Sequence, residues 1–443
     1  MNSLSLNFDW LTSGNDSPEV QQTMGMFGLK VGDISLTRNE DIWSQTIRDT
    51  VLVSAYPLAA WIVTSWWRLL YEPLPLGTKP SVDWRMAHEL TAANQGFIWP
   101  RVILASDTEL MHIWSRTSNT SNQQSIRYIN SLDQPFWLPL LEFEQTAKIF
   151  IESVISRLNA TGLSDTPLSG LWKEVQEEFS DLESTRYRRC EAQLGFDPDD
   201  CPESLINDAL HLTRQMGDFT FSEVAPAYSQ NISEAKPLSA KIAEITEKPG
   251  VDGKPEVSVY DLSGLQSKAP WQKAKKLASY LRNQIDIGEN PVNDEKLYDL
   301  LGLQKSEYES WTPANRQPVS IAVPLENDGF KFHPRKTNPT GKRFELARFL
   351  GDYLLYSNQG NSWLASTDLK TSRQKYQRAF AAEFLCPLRS LTSYLDNDYS
   401  ESAIEDASAY FNVSQKTVES ILANNDLIVV PQSIHDLETS LPY

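Results

Sequence analysis

The sequence contains few of the residues on which catalytic and metal sites usually depend. Its 443 residues include only 3 cysteines and 5 histidines. The cysteines, Cys190, Cys201 and Cys386, fit neither a disulfide framework nor a zinc cluster. No Ser–His or Cys–His arrangement and no phosphate-cradling glycine loop is evident. We therefore expect a reducing, cytoplasmic setting, because stable disulfides belong to oxidising compartments.

Long apolar runs are also scarce. Residues 51–71 approach the length of a membrane span, but Pro57 and Arg68 interrupt them. The tryptophans that crowd this stretch are typical of a buried helix. The first ten residues lack the basic region and apolar core of a secretion signal. We therefore predict a protein that does not associate with a membrane.

Charge is acidic overall but unevenly distributed. The formal net charge is −18, yet residues 331–378 carry ten basic and three acidic side chains. The basic residues are Lys331, Arg335, Lys336, Lys342, Arg343, Arg348, Lys370, Arg373, Lys375 and Arg378, and the acidic ones are Glu345, Asp352 and Asp368. Such a local excess favours either an anionic ligand or docking of an acidic protein surface.

The length predicts more than one domain, since single cores seldom exceed about 250–300 residues. We predict an acidic, tryptophan-rich α+β domain over residues 1–230, a linker over 231–258, a second domain over 259–430 and a C-terminal tail over 431–443. Hairpins are predicted at residues 28–38 and 101–114. Helices are predicted at residues 49–71, 143–158, 171–194 and 202–217.

The most specific pattern lies in the second domain. Residues 342–356 read Lys-Arg-Phe-Glu-Leu-Ala-Arg-Phe-Leu-Gly-Asp-Tyr-Leu-Leu-Tyr. This helix resembles the active-site helix of the ImmA/IrrE family of metallo-endopeptidases, whose pattern is R-F-x-L-A-H-E-x-G-H-x-L-L. The framework agrees at Arg343, Phe344, Leu346, Ala347, Gly351, Leu354 and Leu355. The family's His, Glu and His are replaced here by Arg348, Phe349 and Asp352.

These replacements remove the family's chemistry. Two histidines four residues apart on a helix can hold one zinc ion, and the intervening Glu acts as the base. Arg348 stays protonated and offers only donors, Phe349 has no basic atom, and Asp352 supplies a single carboxylate. Because Arg348 and Asp352 are four residues apart, we predict a buried ion pair between them in the metal position. An exposed surface pair is the alternative.

The family's third zinc ligand is missing as well. Residues 374–387 resemble the family segment E-x-E-A-N-x-F-A-A-E-L-L-M-P, but Gln374 and Tyr376 stand at its two acidic positions and Arg378 at its Asn. Glu383 matches a framework position. The resemblance covers about residues 265–430 and implies a mainly helical α+β, zincin-like domain with a small sheet. The family's zinc has no ligand set here, so we expect no metal or other cofactor.

Three functional hypotheses follow. The first is a catalytically inactive pseudo-peptidase that binds another protein and acts in regulation. The resemblance implies a bacterial setting of mobile elements, stress response or phage defence. The second is nucleic-acid or nucleotide binding through a basic groove over residues 331–378, with stacking by Phe349 and Tyr376. Its candidate ligand-binding residues are Arg343, Arg348, Arg373, Lys375 and Arg378.

The third hypothesis is an enzyme with a rebuilt site. It would be a metallo-endopeptidase or another hydrolase that uses Asp352, Glu383 and a residue of the N-terminal half. His333 is the histidine nearest the groove in sequence and the only one that we consider as a base.

Overall fold

The computed structural model describes residues 3–14, 16–75, 80–118, 124–229, 236–257, 269–313, 317–356 and 362–429. The chain divides into two compact units, the first ending at Ile206 and the second beginning at Asn207. This division precedes the predicted boundary at residue 230. Residues 231–235 and 258 of the predicted linker, 259–268 of the predicted second domain and the tail at 431–443 lie outside the described residues. Both units combine helices with small antiparallel sheets, so the predicted α+β class is confirmed.

The first unit alternates short strands with helices. In chain order its elements are β1 (Leu4–Trp10), α1 (Pro18–Gln22), β2 (Met24–Val31), β3 (Ile34–Ser35), β4 (Asn39–Asp41), β5 (Thr46–Arg48), β6 (Val51–Ser54), α2 (Ala55–Thr64), α3 (Trp66–Tyr71), α4 (Val82–His88), a 3₁₀ turn (Leu90–Ala93), β7 (Arg101–Ser106), β8 (Leu110–Arg116), β9 (Ile126–Tyr128), β10 (Phe136–Pro139), α5 (Leu140–Ala160), α6 (Pro167–Ser180) and α7 (Leu182–Gln193).

Three antiparallel sheets organise this unit. In the first sheet β2 pairs with β1, β3 and β6; the second has the order β10-β8-β7 and the third β5-β4-β9. The pairings β2–β3 and β7–β8 confirm both predicted hairpins. Apolar side chains of the sheets and of α2, α3 and α5 form one core, in which Phe27, Trp66 and Trp67 are almost fully buried.

Two long helices predicted in this unit are interrupted. Residues 49–71 form β6, α2 and α3 instead of one helix, because Val51 and Val53 pair with β2 and the Ser54 side chain caps α2 by accepting from the Tyr56 amide at 3.3 Å. Residues 171–194 are divided at Asp181, whose carboxylate caps α7. Within the described ranges, the structure has no helix long and apolar enough to cross a membrane.

The second unit is mainly helical. Helix α8 (Glu203–Met216) spans the division between the units, and the later elements are α9 (Asp218–Ser229), α10 (Leu238–Thr246), β11 (Val251–Gly253), α11 (Pro270–Gln284), α12 (Asp294–Leu301), α13 (Lys305–Ser310), β12 (Ser320–Pro324), β13 (Phe330–His333), α14 (Pro339–Tyr356), β14 (Leu364–Ser366), α15 (Ser372–Leu385), α16 (Leu388–Leu395), α17 (Glu401–Phe411) and α18 (Gln415–Ala423).

The segment predicted as a linker is structured over residues 236–257. Leu238, Ile242 and Ile245 recur at helical spacing and are buried on one face of α10. Strand β11 then pairs with β13, with Val251 opposite Phe332, in the antiparallel sheet β11-β13-β12-β14. The segment predicted as a linker from its Pro, Lys and Gly content therefore contains a short amphipathic helix and an edge strand within residues 236–257.

Helices α14 and α15 form the centre of the second unit. They pack against each other, α14 also contacts β14, and α15 packs on α11. Gly351 makes the close approach of α14 to α15 possible, because a Cβ at this position would lie 2.7 Å from the Phe380 ring. The helix that resembles the family's active-site helix is therefore buried between the sheet and α15.

Candidate functional site

The three replaced positions on α14 have different surroundings. Phe349 is fully buried, and its ring meets that of Phe332 edge to face with centroids 5.4 Å apart. It belongs to the apolar core that α14 shares with the sheet. The position that the resemblance aligns with the family's general base is therefore a packing position, and Phe349 is not available to stack on a nucleotide.

Asp352 is held by an arginine of the neighbouring helix. Arg373 donates from Nε to Oδ1 and from Nη2 to Oδ2, both at 2.7 Å, and the Ala365 amide donates to Oδ2 at 3.3 Å. Asp352 is fully buried and Arg373 is 4% exposed. The predicted pair of Asp352 with Arg348 is therefore wrong, and Asp352 pairs with Arg373 instead. Helical spacing identified a neighbour on α14, whereas the guanidinium that satisfies both oxygens comes from α15.

Arg348 has no acidic partner within the described part of the chain. Its Nη2 donates to the Thr367 carbonyl at 2.6 Å and to Gln374 Oε1, while its Nε has no hydrogen-bond partner. The side chain is 4% exposed. Burial, followed by the nearby charges of Arg378 and Arg335, lowers the pKa of the Arg348 guanidinium to about 9.

Gln374 stands where the family has an acidic residue, and it connects three elements. Its Oε1 accepts from Arg348 and from the Thr367 amide at 2.9 Å, and its Nε2 donates to the Ala365 carbonyl at 3.1 Å. Gln377 donates to the same carbonyl at 2.8 Å. Tyr376, the other replaced acidic position, is buried in the core with its ring stacked on Phe380. The side-chain amides of α15 thus hydrogen-bond to β14 at the position that the resemblance aligns with a metal ligand.

Glu223 of α9 was missed by the sequence reasoning. It is 1% exposed, and both of its oxygens lie 2.8 Å from Thr371 Oγ1, which donates to the carboxylate. Burial raises the pKa of Glu223 to about 6; the positive charge of Arg373 opposes this rise and the negative charge of Asp352 adds to it. The available signal was a single charged residue, Glu223, in the mainly apolar and otherwise uncharged stretch of residues 219–228.

The structure does not bring all of the acidic residues suggested for a rebuilt enzyme into one site. Glu223 lies within residues 1–230, where we expected the additional residue, and it shares the surroundings of Arg373 with Asp352. Glu383 lines a different surface, where it accepts from the Leu388 amide at 3.5 Å. His333 is buried on β13 and is not part of that surface, and burial lowers its pKa to about 4.

Arg343 has a structural position. Its Nη1 pairs with Asp294 and its Nη2 donates to the Val292 carbonyl, and its side chain is 3% exposed. It therefore ties α14 to the start of α12 and is not a ligand-binding residue of the groove.

The family's zinc does not fit the residues at these positions. Arg348 and Arg373 carry only donors, and Arg373 occupies both oxygens of Asp352. Among the described residues there is no group of three His, Cys, Asp or Glu side chains placed to hold a metal ion. The arrangement is a buried hydrogen-bonded network rather than a coordination site.

A cleft of about 1010 Å³ opens beside this network, between α11, α14, α15 and α18. We call it the basic cleft. Its cationic lining residues are Lys275, Lys336, Arg348, Lys375, Arg378 and Lys416, and its acidic ones are Glu345, Asp368 and Glu383. Of the predicted ligand-binding residues, the structure brings Arg348, Lys375 and Arg378 into this cleft and directs Arg343 and Arg373 to buried ion pairs.

Searches of family models, of curated proteins and of solved structures give no match to this chain.

Proposed function

We propose that this chain is a catalytically inactive binding or regulatory protein whose second unit is an ImmA/IrrE-like pseudo-peptidase. The observation that carries the proposal is the bidentate pair of Arg373 with Asp352. Asp352 is the only one of the three replaced positions on α14 with a side chain able to bind a metal, and its oxygens are already occupied.

The surrounding contacts support the same proposal. The aromatic ring of Phe349 packs in the core at the position of the base. The side-chain amide of Gln374 is hydrogen-bonded to Arg348, Thr367 and Ala365. A water activated for attack needs a base or a metal beside it, and these side chains supply neither. We further propose that the protein works in the cytoplasm of a bacterium, through another protein, in the regulatory or defence settings that the resemblance implies.

The test is hydrolysis of an unfolded protein substrate, with and without added zinc. We expect no cleavage above the level of a chain carrying Asp352→Ala. Zinc-dependent cleavage by the wild-type chain that Asp352→Ala abolishes would overturn the proposal and restore the rebuilt hydrolase.

A further inference from the structure

Two guanidinium groups of the basic cleft have no carboxylate partner among the residues that the structure describes. Arg348 bonds only to the Thr367 carbonyl and Gln374, and Arg378 donates to the Leu369 carbonyl at 2.9 Å. Neither forms an ion pair with an acidic side chain in the part of the chain that the structure describes. Each guanidinium therefore brings to the cleft a positive charge that no ion pair within the described residues offsets.

Two of the three acidic residues that line the cleft, Asp368 and Glu345, are committed to other partners, and the third, Glu383, accepts from the Leu388 amide at 3.5 Å. Asp368 receives two bonds from Arg335, at 2.8 and 2.6 Å. Glu345, which is 1% exposed, accepts from the Ser320 hydroxyl and from the Arg335 amide at 3.0 Å. These carboxylates hydrogen-bond to Arg335 and to main-chain donors, so their negative charges act on Arg348 and Arg378 without a direct ion pair among the described residues.

Arg348 also presents an unused donor. Its Nε is buried without a partner, although the side chain lines the cleft. Buried donors are normally satisfied, and a guanidinium uses adjacent N–H groups to bind the oxygens of a carboxylate or phosphate. Burial, followed by the positive charges of Arg378 and Arg335, lowers the pKa of Arg348, as expected for a cation buried beside other cations.

We propose that the basic cleft binds a small phosphate-bearing ligand of nucleotide size, with its dianionic phosphate between Arg348 and Arg378. This inference rests on the proposed function, because a pseudo-enzyme retains the cleft as a binding site. A dianion matches two unpaired guanidinium groups better than a single carboxylate does. Lys336, Lys375 and Lys416 add positive charge around this position.

The shape and the remaining lining favour a small ligand over a nucleic-acid chain. A volume of about 1010 Å³ lies at the upper end of ordinary ligand pockets. Trp271, Ser420 and Asn424 offer an aromatic face, a hydroxyl and an amide for the uncharged part of the ligand. The formal net charge of −18 opposes a polyanion, whose charge extends beyond the cleft.

The test uses the full chain and isothermal titration with AMP, adenosine, inorganic phosphate and a single-stranded oligonucleotide. We expect saturable binding of AMP, weaker binding of phosphate and no binding of adenosine. Arg348→Met and Arg378→Met should each weaken AMP binding about tenfold or more. Lys416→Met changes an exposed side chain of the cleft and should weaken AMP binding less than the arginine variants do. Because an exposed substitution seldom disturbs folding, this variant still tests the proposal if an arginine variant fails to fold.

Arg389→Met is the matched control, since Arg389 is exposed, pairs with Glu289 and lies outside the cleft. It should leave AMP binding unchanged. The inference is overturned if AMP and phosphate do not bind, if only the oligonucleotide binds, or if cleft variants bind AMP like the control. Failure of AMP to bind does not alter the hydrolysis result, so the two proposals fail separately.

Discussion

Arg373 reaches Asp352 from the neighbouring helix and occupies both of its carboxylate oxygens at 2.7 Å. The pair joins α14 to α15 at the position where the resemblance places a zinc ligand. Its burial is nearly complete, so each charge depends on the other for stabilisation. A connection between helices thus lies where the resemblance places a metal site.

Removing one partner of this pair should be costly. Arg373→Met leaves the Asp352 charge buried without its counter-ion, and we expect a loss of about 3–5 kcal/mol in the free energy of unfolding. Urea denaturation measures this change. Arg389→Met, which breaks the exposed pair with Glu289, should cost about 0–1 kcal/mol. Equal effects of the two substitutions would show that the buried pair is not what holds the helices.

Glu223 should make stability depend on pH. Its pKa is raised from 4.5 to about 6 in the folded chain, so the folded state binds more protons between these values than the unfolded state does. Stability should therefore fall as the pH rises from about 4.5 to 6. Glu223→Gln removes this dependence and should be more stable than wild type at pH 7.5, by up to about 2 kcal/mol.

The two proteins should converge near pH 4.5, where Glu223 is increasingly protonated in both states. Thermal unfolding between pH 4.5 and 7.5 provides the comparison. A variant that is less stable than wild type at pH 7.5 would mean that the charge of Glu223 is compensated by Arg373 and Thr371 more fully than its burial costs.

Gly351 should not tolerate a methyl group. In Gly351→Ala the new Cβ would lie 2.7 Å from the Phe380 ring, and we expect a loss of about 1–3 kcal/mol from overpacking between α14 and α15. Gly170→Ala is the matched control, because nothing lies within 4 Å of a Cβ on that residue of α6. The control should gain up to about 1 kcal/mol from helix propensity. Similar gains in both variants would contradict the close helix contact.

The sequence predicted secondary-structure elements better than it predicted the partners of individual side chains. Local sequence pattern was sufficient for both hairpins of the first unit, and α14 was expected from the resemblance. The predicted partner of Asp352, Arg348, was wrong, since i,i+4 spacing carries no information about a second helix. Glu223 approaches Arg373 only through the tertiary fold, which no local pattern encodes.

The basic cleft shows the same limit. Ten basic residues over 331–378 predicted a positive surface, but their spacing could not separate ion-paired arginines from unpaired ones. The structure gives an acidic partner to Arg335, Arg343 and Arg373. It gives carbonyl or amide partners to Arg348 and Arg378. Lys275 and Lys416, which complete the lining, come from helices outside the basic segment.

The most direct test of the central claim is the metal content of the purified full chain, measured by elemental mass spectrometry after incubation with zinc and removal of the excess. The account predicts no stoichiometric zinc, and no difference between the wild-type chain and one carrying Asp352→Ala. One zinc ion per chain that is lost in Asp352→Ala would contradict it, because Asp352 would then bind metal in preference to Arg373.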